Sequence, residues 1–236
     1  MPPYWHVLFL RRVLAEFPLL PWRVARTRLG LWLALLFVGL ARLAGGETDP
    51  AAVAVLAGTM GAVVCVSGVA GSAADRAALT HRLLQPTTPI ALAAGRWLAA
   101  AGGAAALVAG VAGYAACTTR DGPGAVGAAA AGLTAAAAVS AVVLPLVWTG
   151  GNALAVLTFA WLVLVSAMPP EAVIGLGRGG ALAVFGASVL EVGPAMWRYR
   201  GVAAGDLGAA AHAAAWVGLG LGIAAWRAAR LGARRL

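Results

Sequence analysis

Side chains able to do chemistry are scarce in this sequence, and one stretch gathers many of them. From Ser72 to Ala100 the chain reads "SAADRAALTHRLLQPTTPIALAAGRWLAA", which places Asp75, Arg76, His81, Arg82 and Arg96 in about one-eighth of the length. Elsewhere there are two more histidines, His6 and His212, and the acids total eight. No carboxylates are paired at a spacing useful for acid–base work, and neither Gly-x-Ser-x-Gly nor His-Glu-x-x-His occurs. No two histidines are placed to share a metal, and Cys65 and Cys117 show neither metal spacing nor a disulfide framework. The expectation is a chain that is not an enzyme, with no catalytic residue, cofactor or metal of its own.

Proton-coupled carriers generally bury an acid in mid-span. Here Glu191 and Asp206 fall at or outside one boundary of the apolar stretches, and Asp75 falls at the other. His212 lies a turn or two into the last apolar stretch. It is the candidate intramembrane polar site, and a helix-packing hydrogen bond is the plainer reading of it. All seventeen basic residues are arginine. A phosphate-binding Walker A loop needs its lysine, so any ATP hydrolysis, with its Mg, belongs on another chain.

The elements that must position these residues are membrane elements. Hydrophobic residues make up 62% of the 236-residue chain and charged residues 11%, with a mean hydropathy of +0.89. Soluble domains are about half apolar and about one-quarter charged, so the excess apolar surface must face lipid. The net charge of +9 does not point to nucleic acid, because the arginines flank apolar stretches and form no soluble basic face.

A bilayer crossing needs about 20 apolar residues. Windows of that kind fall at 29–45, 51–71, 97–117, 125–148, 153–168 and 206–227. The fifth is short unless it begins near Trp148, after a turn at Gly150-Gly151. The fold class expected is an all-α membrane protein with six transmembrane helices. Arginines concentrate in 1–28, in the loop after the second window (Arg76, Arg82, Arg96) and in the tail (Arg227, Arg230, Arg234, Arg235). The positive-inside rule then puts both termini in the cytoplasm of a multi-pass protein of the cell inner (plasma) membrane.

Residues 1–28 read as an interfacial amphipathic helix on the cytoplasmic side and not as a cleaved leader. Leu10, Val13, Leu14, Phe17 and Leu20 share a face, and Trp5 and Trp22 lie at headgroup level. Residues 29–236 form the second unit, the six-span domain. The segment at about 169–205 is expected to be a re-entrant or surface helix pair on the outer side, buried against protein. Pro169-Pro170, the glycines of 175–180 and Pro194 mark its breaks. Alanine- and glycine-rich stretches in the third and fourth windows allow close helix packing in lipid.

The polar block itself reads as a short helix over about 72–85. Asp75 suits its positive end and Arg82 its negative end, and Pro86 and Pro89 stop it. Leu79, Leu83 and Leu84 make an apolar stripe. A helix of this length is marginal alone, so the stripe should dock on something.

At these residues the chain resembles permeases of the type-2 class of ATP-binding-cassette (ABC) exporters. That family carries Glu-Arg-Gly-Thr-Leu, a leucine-rich turn, a proline, and Gly-Lys nine and ten residues after it. Asp75-Arg76-Ala77-Ala78-Leu79, Leu83-Leu84, Pro86 and Gly95-Arg96 stand in those places. Ala77-Ala78 in place of Gly-Thr and Arg96 in place of lysine are the departures. The motif covers about 25 residues, and the layout covers nearly the whole chain.

The resemblance implies that the block is a coupling helix seated on a separate ABC ATPase subunit. Asp75, Arg76, Leu79, His81, Arg82 and Leu83 would be the ATPase-facing set. It also implies a second permease copy, as a homodimer or a paired half, around a translocation path for exported cargo. A haem-exporter-like membrane subunit of cytochrome c maturation is the near alternative. A non-transporting membrane scaffold or assembly factor is the alternative from another class, and an intramembrane enzyme or secondary carrier is a third.

Overall fold

The structure is a computed structural model, and it describes residues 9–11, 13–14, 29–46, 48–70, 88–150, 157–158, 160–161, 166–177 and 179–233. Every regular element among them is helical. In chain order these are α1 (Leu29–Ala44), α2 (Pro50–Ala70), α3 (Pro89–Thr119), α4 (Gly122–Gly150), α5 (Pro170–Leu176), α6 (Ala181–Val192), α7 (Met196–Tyr199), a 3-10 turn (Arg200–Ala204) and α8 (Leu207–Ala233).

Four of these helices, α2, α3, α4 and α8, are long and apolar enough to cross a membrane. The chain is therefore a probable multi-pass membrane protein that associates with lipid, with four candidate spans among the described residues. The other two of the six expected spans are not shown among the described residues. The first window yields α1, of which 16 residues are described, fewer than the ~20 that a bilayer core requires. The fifth window lies mostly outside the described residues, as does the whole of the expected helix at 72–85.

The start of the third span moved for physical reasons. α3 starts at Pro89, eight residues ahead of its apolar window. The Thr88 hydroxyl accepts from the Ala91 amide at 3.3 Å, and Pro89 takes the first helical position, where its missing N–H costs nothing. Pro89 opens this helix, and the preceding helix that it is expected to stop lies outside the described residues. Arg96 consequently lies inside a helix and not in a loop, so it leaves the arginine tally used for orientation. α4 runs through Gly150, and the turn expected at Gly150-Gly151 lies at the edge of the described residues.

α3 and α4 are joined by only Arg120 and Asp121. Arg120 adopts the left-handed conformation (φ 57°) that ends α3, and the Asp121 carboxylate accepts from the Gly124 amide at 3.0 Å to start α4. So tight a connection makes the two helices antiparallel neighbours. α2 lies against both. It is closest to α4, where glycine faces glycine: a side chain on Gly58 would strike the Gly132 carbonyl, and one on Gly132 would lie 2.6 Å from the Ala54 carbonyl. Backbones in this contact pack without intervening side chains, as lipid-embedded helices do. One buried cluster around Val66, Ala100, Val143, Leu144 and Val147 fills one half of the bundle. A second, around Leu40, Val53, Leu107, Val108 and Val111, seats α1 on the other half.

α8 runs parallel to α4. Ala203, just before α8, meets Gly127; Gly220 meets Ala141; and Arg227 bonds Thr149. Position rises along both helices together. In the outer segment the breaks fall where expected. α5 begins at Pro170, Gly177 and the left-handed Gly179 (φ 70°) separate α5 from α6, and Pro194 separates α6 from α7. The expectation that this segment is buried against protein holds for only part of it. Ala195, Met196 and Tyr199 are buried, whereas α6 exposes Leu182, Phe185 and Val192 and buries only Ala187 and Leu190. Of the N-terminal unit, the five described residues are helical, with Val13 buried and Leu10 and Leu14 exposed.

Candidate functional site

The block at 72–85, with Asp75, Arg76, Leu79, His81, Arg82 and Leu83, lies outside the described residues, but the two helices it connects are described. Two adjacent side chains near the start of α3 tie that helix to its neighbours. Arg96 is buried (2% exposed), and its guanidinium Nη1 donates to the Val69 carbonyl. That carbonyl is in the last turn of α2, where the helix leaves its C=O groups without an internal partner. The neighbouring Trp97 donates from Nε1 to the Ala137 carbonyl of α4 at 2.9 Å. Adjacent residues thus fix α3 to α2 on one side and to α4 on the other. A buried hydrogen bond from a charged donor is worth more than a neutral one, and in a low-dielectric interior its geometry is stiff.

The other polar site lies at the opposite end, where α6, α7 and α8 meet. His212 is in the second turn of α8, as expected. Its Nε2 is 3.0 Å from the Val192 carbonyl, which also accepts from Trp216 Nε1 at 2.9 Å. Val192 is the last residue of α6, so its carbonyl is one of the orphan acceptors of a helix end. His212 and Trp216, one turn apart on α8, together close that end and fix α6 to α8. With Nε2 donating to Val192, the 3.3 Å approach of Trp216 Nε1 to His212 Nε2 is a close packing contact. This is helix-packing geometry, the plainer of the two readings of His212.

Around the seam several buried polar atoms make no hydrogen bond: His212 Nδ1, Tyr199 Oη, Trp197 Nε1 and Arg200 Nε. The Tyr199 and His212 ring centroids are 6.0 Å apart. Tyr199 is wholly buried among Val55, Ala131, Ala135 and Ala213. Burial pushes its phenol well above the ordinary range, and the nearby Arg198 charge opposes this by less. The seam is held from below by Ser166, whose hydroxyl accepts from the Met196 amide at 3.3 Å and whose carbonyl accepts from the Trp197 amide at 3.0 Å. Asp206 caps α8 through the Gly208 and Ala209 amides at 2.8 and 3.2 Å. It is thereby engaged in local structure.

Nothing at either site is arranged as a nucleophile with its base, and among the described residues no three His, Cys, Asp or Glu side chains cluster for a metal. Sequence reading did not find the Arg96 and Trp97 ties, because the apolar window began at Trp97 and left Arg96 outside the helix. The available signal was Thr88-Pro89, a cap followed by an N-terminal proline. Tyr199 carried no signal in its neighbours. No family model, curated protein or solved structure matches this chain.

Proposed function

We propose that this chain is the membrane-embedded permease subunit of an ATP-driven exporter of the type-2 ABC class. It would work with a separate ATPase chain, which supplies ATP and Mg, and with a second permease copy. The observation that carries the reading is the polar block at 72–85 together with what anchors it. The block's Asp75-Arg76, its leucines and Pro86 precede Gly95-Arg96 at the family's spacing. Its two flanking helices are tied to each other by Arg96 on Val69, and the second of them is tied to α4 by Trp97 on Ala137. An ATPase closing as a rigid body needs a stiff element to push, and a short helix mounted on two tied spans provides one.

Two further observations support the six-span layout of this reading. Because α4 and α8 run parallel, the chain between them must return across the bundle. Ser166 already sits at the far end, bonded to Met196 and Trp197. This change of end supports the fifth crossing that the reading expects. With the first window counted as a crossing, six crossings put both termini on one side, and the arginines of 1–28 and of the tail make that side cytoplasmic. Coupling would pass through Asp75, Arg76, Leu79, His81, Arg82 and Leu83 to α2 and α3, and from there to α4.

The test is co-purification of the chain with the ABC ATPase of its own operon or genome neighbourhood. The wild-type pair is expected to elute together and to hydrolyse ATP. Arg76→Glu combined with Leu79→Asp is expected to release the ATPase while leaving the permease folded. An intact complex in that double variant would sink the coupling assignment, and failure of any ATPase to associate would favour the scaffold alternative.

A further inference from the structure

A groove of ≈ 470 Å³ runs between α4 and α8 in the half of the bundle that ends in Thr149 and Arg227. Its origin is local. Pro145 inside α4 has no N–H to give the Ala141 carbonyl, its partner four residues back. Gly220 of α8 packs directly on that carbonyl, because any side chain there would collide with it. The two helices touch backbone to backbone at this point and diverge beyond it. The walls are Leu146 and Pro145 on one side and Leu219 and Ile223 on the other, with Trp216 furthest from Arg227 along α8.

The open end is cationic. Arg227 Nε donates to the Thr149 hydroxyl at 3.1 Å, and that hydroxyl donates to the Pro145 carbonyl at 2.8 Å. The bond spends one of the five N–H donors of the guanidinium and fixes the group at the groove mouth. Arg230 lies 4.3 Å above the Trp226 ring, and Arg234 and Arg235 follow in the tail. Neither α4 nor α8 contains an acid. From Trp216 to Arg227 the groove spans about 16 Å of helix at 1.5 Å per residue. This is about half of the ~30 Å hydrocarbon core, the depth of one leaflet.

We infer that this groove holds an acyl chain of an anionic phospholipid of the surrounding bilayer, with its phosphate on Arg227. An apolar slot about one leaflet long that ends in a held arginine beside Trp226 matches a lipid in both length and charge. A second copy of the chain fits the same face less well. In a two-fold dimer sharing one membrane orientation, α8 against α8 would bring Arg227 and Arg230 against their own copies. The inference requires only that α4 and α8 span the membrane, and it is independent of the transport reading.

The experiment is native mass spectrometry of the detergent-purified chain with dioleoyl phosphatidylglycerol or dioleoyl phosphatidylcholine. One phosphatidylglycerol per chain is expected to be retained about tenfold more strongly than phosphatidylcholine. Arg227→Gln should bring phosphatidylglycerol down to the phosphatidylcholine level. Filling the groove with Leu146→Trp, or with Val142→Phe if the first does not fold, should abolish retention of both while the circular dichroism stays helical. Four results would each overturn the inference: equal retention of the two lipids, retention unaffected by both groove-filling variants, displacement by millimolar inorganic phosphate, or a dimer that excludes lipid from the groove.

Discussion

α2 and α8 are both apolar helices of spanning length, yet they play opposite parts in the molecule. In α2, 67% of the most apolar stretch is buried within the protein; in α8 the share is 22%. Both are rich in glycine, and the glycines show the difference. Gly58 and Gly61 of α2 have backbone or side-chain atoms pressed against them, whereas Gly218 and Gly222 of α8 face open space and Gly220 between them is in close contact. Hydropathy alone places both helices in lipid. It does not say which of them lipid touches, because lipid tails and leucine side chains are equally apolar, and packing shape decides between them.

That contrast can be broken most sharply at the glycines. Gly58→Leu forces α2 away from the Gly132 carbonyl and should cost about 3 kcal/mol or more of stability, at the upper end of overpacking penalties. Gly222→Leu on the open face of α8 should change the melting temperature little. Thermal unfolding of the two variants side by side in one detergent reads the difference directly, and equal losses would refute the assignment of core and periphery.

A smaller effect is expected where α2 is tied to α3. Arg96→Met keeps much of the side-chain volume and removes the bond to Val69, which should cost about 2 kcal/mol. Hydrogen exchange should quicken at amides 66–70 and 89–92 in this variant and stay unchanged in α8. Trp97→Phe, which loses only the bond to Ala137, should cost about 1 kcal/mol. If neither variant alters exchange at the α2–α3 junction, the stiff base invoked for the coupling block is not stiff.

The smallest effects belong to the outer seam. Tyr199→Phe removes a buried hydroxyl that makes no hydrogen bond, so stability should stay level or rise by about 1 kcal/mol. The pH dependence gives a second reading. The folded phenol is held above its ordinary value of ~10, so the unfolded chain loses that proton first. The contribution of Tyr199 is then constant below about pH 10 and declines above it. Melting curves taken on either side of that pH should fall less steeply in Tyr199→Phe than in the wild type.

How much of this was legible beforehand differs from element to element. The second, fourth and last apolar windows predicted α2, α4 and α8 closely at their starts, because an apolar run and a helix able to cross lipid have nearly the same length requirement. Prolines and glycines located the breaks at 169–180 and at Pro194, since both residues act through the local backbone. Arg96 was misplaced because charge was weighed over capping: a hydropathy window excludes an arginine that a helix can bury once it finds a carbonyl. Burial of the outer segment was overestimated for α6, whose leucine and phenylalanine look alike whether protein or lipid covers them.

The amino-acid sequence by itself determined that this protein is helical and made for lipid, that its chemistry-bearing residues concentrate at one polar block, and that no lysine is present to build a Walker A site. Those properties follow from side-chain types and their spacing along one chain. Only the tertiary structure decided that Arg96 ties α3 to the end of α2 and Trp97 ties it to α4, that His212 closes the end of α6, and that Pro145 and Gly220 open a groove ending at Arg227. Each of these depends on a carbonyl brought within reach by another helix, and no property of a residue and its neighbours in sequence specifies which carbonyl that will be.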